Sequence, residues 1–147
     1  MKTPFSFVVL RYMHDGFTRE FVNVGVLLYA PGAGFLRLRR VASLERAQAL
    51  FPGLETAPLG ESLRFLETRC TGLEERYART PERESLSAEI IAKSLLPTDD
   101  SALQWSTPGG GTTEAPERTL QELFERIVTR HEKARNGALM DSLASAA

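Results

Sequence analysis

Between Phe5 and Val41 the chain holds three β-rich runs joined by turns too short for a parallel crossover. A parallel connection needs a dozen or more residues, so these runs read as an antiparallel meander. Residues 5–13 are apolar at both alternating positions, as in a strand covered on both sides. His14-Asp15-Gly16 is a turn signal. In residues 20–30, Val22, Val24, Val26 and Leu28 fall on one face by strict alternation, and Phe21, Asn23, Gly25, Leu27 and Tyr29 on the other. Pro31-Gly-Ala-Gly34 makes the second turn. Residues 35–41 form the third run, with Leu36 and Leu38 opposite Arg37 and Arg39. One sheet face is therefore expected to be apolar and covered by helices, the other to carry Asn23, Gly25 and arginines.

The remainder is mostly helical. Ser43 is placed to N-cap a short helix that runs through Phe51 and stops at Pro52-Gly53. Leu59, Leu63, Leu66, Cys70, Leu73 and Tyr77 form one apolar stripe of a long helix over 59–77. A third helix is expected over 85–96, with Leu86, Ile90 and Leu96 apolar and Pro97 as its stop. After a loop at 98–101, residues 103–106 alternate like a short fourth strand. Residues 107–112 read as a flexible glycine loop. A last helix is expected over 117–135, closed by Asn136-Gly137. The expected fold is α+β: an antiparallel sheet of three to four strands with helices packed mainly on one face. The 147 residues suit one domain over 1–137, with a weakly ordered tail over 138–147.

Charge narrows the choice of partner. Eighteen Lys and Arg face nineteen Asp and Glu, a net charge of −1, whereas polyanion binders usually show a basic excess. The start has no long apolar region or small-residue cleavage site, and no apolar run approaches the roughly 20 residues that span a bilayer. A cytoplasmic location is expected.

The densest polar cluster is Arg11, Asp15, Arg19, Glu20 and Asn23. Asn is disfavoured in mid-strand, and its buried amide needs partners. Asn23 either pairs with Arg11, with Glu20 or with a backbone edge and pins the hairpin register, or it floors a pocket in which Gly25 admits close approach to the backbone. Arg11 and Arg37 are the expected ion partners of Glu20. A catalytic carboxylate needs a second acid or base, and the nearby Asp15 sits in a turn where Asp is common, so no catalytic residue is assigned.

His14 and His131 stand far apart, and no metal-ligand spacing exists, so no metal or other cofactor is expected. His131 reads as a cation favoured near a helix C-terminus, and Cys70 as a small core residue. Gly109-Gly-Gly111 lacks the lysine and spacing of a phosphate loop. Fifteen of the eighteen basic residues are arginine, and Arg37, Arg39 and Arg40 make the only short basic run. With Phe35, Tyr12 and Tyr29 nearby, that run could stack on nucleic acid, but an arginine- and aromatic-rich face with balanced charge better fits a protein interface.

Val9-Leu-Arg-Tyr12, Glu20-Phe-Val-Asn-Val-Gly-Val-Leu-Leu28, Leu103-Gln-Trp-Ser106 and Gly109-Gly-Gly111 together resemble a bacterial family, domain of unknown function 3037. Leu120-Gln-Glu-Leu-Phe-Glu-Arg-Ile-Val128 is similar to that family's final segment. The resemblance runs from about Phe5 to His131. It marks Arg11, Tyr12, Glu20, Asn23, Gly25, Gln104 and Trp105 as motif positions. It implies a small cytoplasmic accessory protein whose gene lies next to those of HipA-like kinases. The expectation is a non-enzymatic module that binds a protein partner, such as a HipA-like kinase, through its polar sheet face at Asn23, Arg37 and Arg39. The alternatives are a small enzyme or nucleotide-binding protein with a pocket at Glu20, Asn23 and Arg11, and a nucleic-acid accessory factor.

Overall fold

The computed structural model describes residues 1–96 and 102–130. The expected stop at Pro97, the loop at 98–101, His131, the Asn136-Gly137 cap and the tail at 138–147 lie outside them. The fold is α+β around an antiparallel sheet. The strands are β1 (Thr3–Met13), β2 (Phe21–Ala30), β3 (Phe35–Arg40), β4 (Leu103–Trp105) and β5 (Gly109–Thr113). The helices are α1 (Glu45–Leu50), α2 (Thr56–Ala78), α3 (Ala88–Leu95) and α4 (Pro116–Phe124). Sheet order is β3-β2-β1-β4, and β5 pairs with β1 alongside β4.

The meander forms as its turns require. Along β1, β4 pairs with Leu10–Tyr12 and β5 with Thr3–Phe7, so two short strands share one edge of a long central strand. Ser106 fills the gap between them. Its N–H donates to the Val9 carbonyl at 2.8 Å, and its hydroxyl oxygen accepts the Val9 N–H at 2.8 Å.

The glycine segment is strand rather than flexible loop. Gly109 lies opposite Phe7 and Gly111 opposite Phe5, and the two stacked rings lie over the glycines. A Cβ on Gly109 would stand 2.6 Å from the Phe7 ring, and one on Gly110 would stand 2.8 Å from the Phe5 carbonyl oxygen. Aromatic side chains thus cover the strand that glycine leaves bare.

Both sheet faces are covered. One carries Val8, Leu10, Leu27, Tyr29, Leu36 and Leu38, buried under α2 and α3. The expected α2 stripe of Leu59, Leu63, Leu66 and Cys70 is buried there. The α2–α3 connection is tied to this face by a cross-strand pair. The Tyr29 hydroxyl donates to the Arg83 carbonyl at 2.7 Å, and Ser6 Oγ accepts the Ala88 N–H at 2.8 Å. Burial raises the Tyr29 phenol above its ordinary value, and the nearby Glu84 carboxylate adds to the shift. The opposite face carries Val26 and Leu28 under Leu120, Phe124 and Val128.

Two helices differ from expectation in detail. α3 starts after Ser87, whose hydroxyl caps the Ile90 N–H at 3.2 Å. Its buried stripe is Ala88, Ile91, Ala92 and Leu95, while Ile90 is 51 % exposed. α4 ends at Phe124 and continues as a π-helical turn, Glu125–Thr129. Ser43 is not the α1 N-cap; Leu44 holds that position, and Ser43 Oγ accepts the Glu45 N–H at 3.2 Å.

Candidate interaction surface

A β-bulge decides where Asn23 points. β1 and β2 pair Leu10 with Gly25 and Arg11 with Asn23, so Val24 has no partner on β1. One extra residue shifts the alternation by one. Asn23 therefore leaves the face that holds Gly25, Leu27 and Tyr29, where simple alternation puts it, and turns toward α4. Its Nδ2 donates to the Ile127 carbonyl at 3.3 Å, within the π-helical turn. Arg46 of α1 donates to the next carbonyl, Val128, at 2.8 Å. Asn23 pins the π-helical turn after α4 to the sheet, and Arg46 pins it to α1.

Arg11, Asn23 and Gln104 form a row across β2, β1 and β4, since Arg11 is the register partner of both others. The Arg11 guanidinium lies over the Phe21 ring at 4.3 Å. Arg11 Nε and Asn23 Oδ1 are buried without a hydrogen-bond partner among the described residues. Such an atom costs about 1–3 kcal/mol. Tyr12 and Trp105 sit on the other face, with Leu10. The Tyr12 hydroxyl contacts His14 Nδ1 at 2.6 Å, and burial raises its pKa. Trp105 Nε1 is likewise buried without a partner among the described residues.

Gly25 has a structural reason to be glycine. A Cβ there would meet the Arg39 carbonyl oxygen at 3.1 Å and Leu38 Cδ1 at 3.4 Å, so what approaches the Gly25 backbone is β3.

Glu20 stands apart from this row. It is exposed, and it forms no ion pair among the described residues. Arg11 is stacked on Phe21 and Arg37 pairs with Glu117, so neither expected ion pair of Glu20 exists.

The arginine run surrounds a cleft of about 540 Å³ between β3 and α4, walled by Arg37, Arg39, Arg40 and Glu117, with Leu120 and Phe124 as its apolar part. Arg37 Nη1 lies 3.2 Å from Glu117 Oε1, a pair 47 % and 83 % exposed. Arg39 lies over the Phe124 ring at 4.9 Å. Arg40 Nε lies 3.5 Å from Glu67 Oε2.

The outer edge of β3 is closed. Glu74 Oε2 accepts the Leu36 N–H at 3.0 Å, and the buried Cys70 thiol lies beside the Leu38 backbone. Glu67, Cys70 and Glu74 are spaced i, i+3 and i+7 on α2, a single helical stripe laid along the strand edge. Burial pushes the Cys70 thiol up to about 12.

Sequence reasoning missed Glu74 and Arg46, which act on partners 38 and 82 residues away, a distance no local pattern reveals.

Among the described residues no three His, Cys, Asp or Glu side chains gather into a metal-binding group, and no helix is long and apolar enough to cross a membrane. No curated protein and no solved structure matches the chain. Residues 7–128, which hold most of β1 and every other strand and helix described above, match the family described as "Protein of unknown function (DUF3037)". The chain belongs to that family.

Proposed function

We propose that this chain is a single-domain, non-enzymatic, cytoplasmic interaction module that binds an acidic surface of a protein partner in the β3–α4 cleft. The observation that carries this reading is the convergence of Arg37, Arg39 and Arg40 on one cleft with apolar Leu120 and Phe124. Arginine and aromatic groups around an apolar centre are the composition of interface hot spots. Arg37 is the arginine held ready for exchange. The Arg37–Glu117 pair is exposed, so an incoming carboxylate can replace Glu117 at little cost. A HipA-like kinase, which the resemblance implies, is the partner to test first.

The test is co-expression with that kinase and a paired charge reversal, Arg37→Glu with Arg39→Glu. A complex that forms and weakens by at least about tenfold, about 1.4 kcal/mol, supports the reading. Absence of a complex, or a complex indifferent to the reversal, overturns it.

One observation favours a second reading, a small polar ligand at the Arg11–Asn23–Gln104 row. Arg11 Nε and Asn23 Oδ1 offer a donor and an acceptor side by side on paired strands. Thermal-shift titration with nucleotides and dicarboxylates tests it; no shift removes it. The nucleic-acid reading is weaker, because a net charge of −1 lacks the basic excess usual in polyanion binders.

A further inference from the structure

β5 covers one side of β1 and leaves a free side of its own. Among the described residues it pairs with β1 alone, and Gly110, Gly111 and Thr112 are exposed. The ladder shows which backbone groups look outward. The Val9 N–H and carbonyl both bond Ser106, and the Met13 N–H donates to the Ala102 carbonyl at 2.7 Å. The odd-numbered residues of β1 therefore direct their backbone groups to this side. Phe5 and Phe7 share that parity, and their register partners are Gly111 and Gly109. Because such pairs alternate along an antiparallel ladder, Gly109, Gly111 and Thr113 face β1, while Gly110 and Thr112 turn their N–H and carbonyl groups to solvent. Pro4, which has no N–H, fits this polarity: it lies opposite Thr112, at a β1 position that faces away from β5.

Apolar surface stands at the same edge. The stacked rings of Phe5 and Phe7 are only partly buried. The Phe5 ring reaches over Gly111, where a Cβ would stand 3.1 Å from it. Residues 106–113 carry no charged side chain.

We propose that two copies of this chain associate through this edge, β5 against β5 about a two-fold axis at Gly111, joining their sheets into one. In that register Gly110 of each copy lies opposite Thr112 of the other, and each such pair exchanges both of its outward backbone hydrogen bonds. The two Gly111 residues meet on the axis as a close pair without hydrogen bonds, about 4.5 Å between Cα atoms. That pair selects a second copy over an unrelated strand. The Phe5 ring occupies the space above Gly111, so a side chain in the facing strand would crowd it, and β5 is bare at this position. The two Phe5 rings instead close over the glycine pair from either side and lose solvent contact. The uncharged segment brings no like charges together. Glu114, the first charged residue beyond the strand, stands about 20 Å from its copy across the axis. The same patch serves both copies, so the contact closes at a dimer instead of propagating.

Sedimentation equilibrium of the full chain, from about 1 to about 100 µM, reads the association directly. The expected result is a monomer–dimer equilibrium that Thr112→Pro weakens at least about tenfold, because proline removes an outward N–H that the monomer does not use. Amide hydrogen exchange of the parent chain gives a readout that needs no variant. The Gly110 and Thr112 amides should slow at least about fivefold as the concentration rises through the transition, while the Gly111 amide, bonded to β1, is protected throughout. A chain that stays monomeric, a dimer indifferent to Thr112→Pro, or a dimer in which the Gly110 and Thr112 amides exchange as in the monomer overturns the proposal. The Arg37→Glu, Arg39→Glu pair should leave the dimer intact, which separates this contact from the β3–α4 cleft.

Discussion

The two long edges of the sheet are finished in opposite ways. At β3 a helix does the work: Glu74, Cys70 and Glu67 of α2 engage Leu36, Leu38 and Arg40. At β1 the edge is extended by β4 and β5, and β5 begins with three glycines whose cover is the Phe5 and Phe7 rings of β1. A bare strand edge is a template for pairing with another chain. One side is protected by side chains reaching in from a helix. The other is protected by a strand so slender that the neighbouring strand supplies its side chains. The first device should tolerate change on the strand and fail on the helix. The second should fail on the strand itself.

The largest effect is expected at Gly110. Its Cβ would stand 2.8 Å from the Phe5 carbonyl oxygen, and backbone cannot swing aside as a ring can. Gly110→Val should cost about 3 kcal/mol in equilibrium urea unfolding despite the higher β-propensity of valine. A neutral or stabilised variant would break the account of β5. Next comes Glu74→Ala, which leaves the Leu36 N–H without its carboxylate and should cost about 1.5 kcal/mol by the same measurement.

Cys70 sharpens the picture of the β3 edge. Its thiol is pushed from an ordinary 9.0 to about 12 by burial, so between those values the folded chain holds a proton the unfolded chain has lost. Stability from this group is full below about pH 9 and is lost as pH rises toward 12, on the order of 1 kcal/mol by about pH 10. Comparing pH-dependent unfolding of the parent chain with Cys70→Ala checks the sign; an identical slope would contradict it. The smallest effect is Arg37→Ala. Its exposed pair with Glu117 should be worth about 0.5 kcal/mol or less to folding, so a loss above about 1 kcal/mol would give Arg37 a structural role that the edge comparison does not contain.

The meander and the α2 stripe were legible in the sequence because each rests on a regular period. Leu59, Leu63, Leu66 and Cys70 repeat at helical spacing, and all four are buried. β5 was not legible, since three glycines carry no period and read as a loop until Phe5 and Phe7 are placed over them. Asn23 was recognised as a residue needing a partner and expected beside the arginines, where it lies; it is Gly25, grouped with it by alternation, that falls on the opposite face with Leu27 and Tyr29. The bulge at Val24 depends on pairing with β1 and leaves no trace in the residues of β2 alone. Gly25 was tied to close backbone approach, and the approaching group is β3 itself. Glu20 reads as part of the polar cluster by proximity in sequence, yet the chain turns it outward before the strand begins.

The helical seal on β3 also bears on the order in which the chain leaves the ribosome. β1, β2 and β3 emerge first, and at that stage both edges of the meander are bare. α2 arrives next and closes β3, while β1 waits for β4 and β5 beyond α3. Domains are generally built from the N-terminal end during synthesis, so the nascent protein passes through a stage with its central strand as an open edge. The interval during which a nascent chain can pair wrongly with a neighbour is set by the stretch between β3 and β5, and a lengthened α2–α3 connection would prolong it.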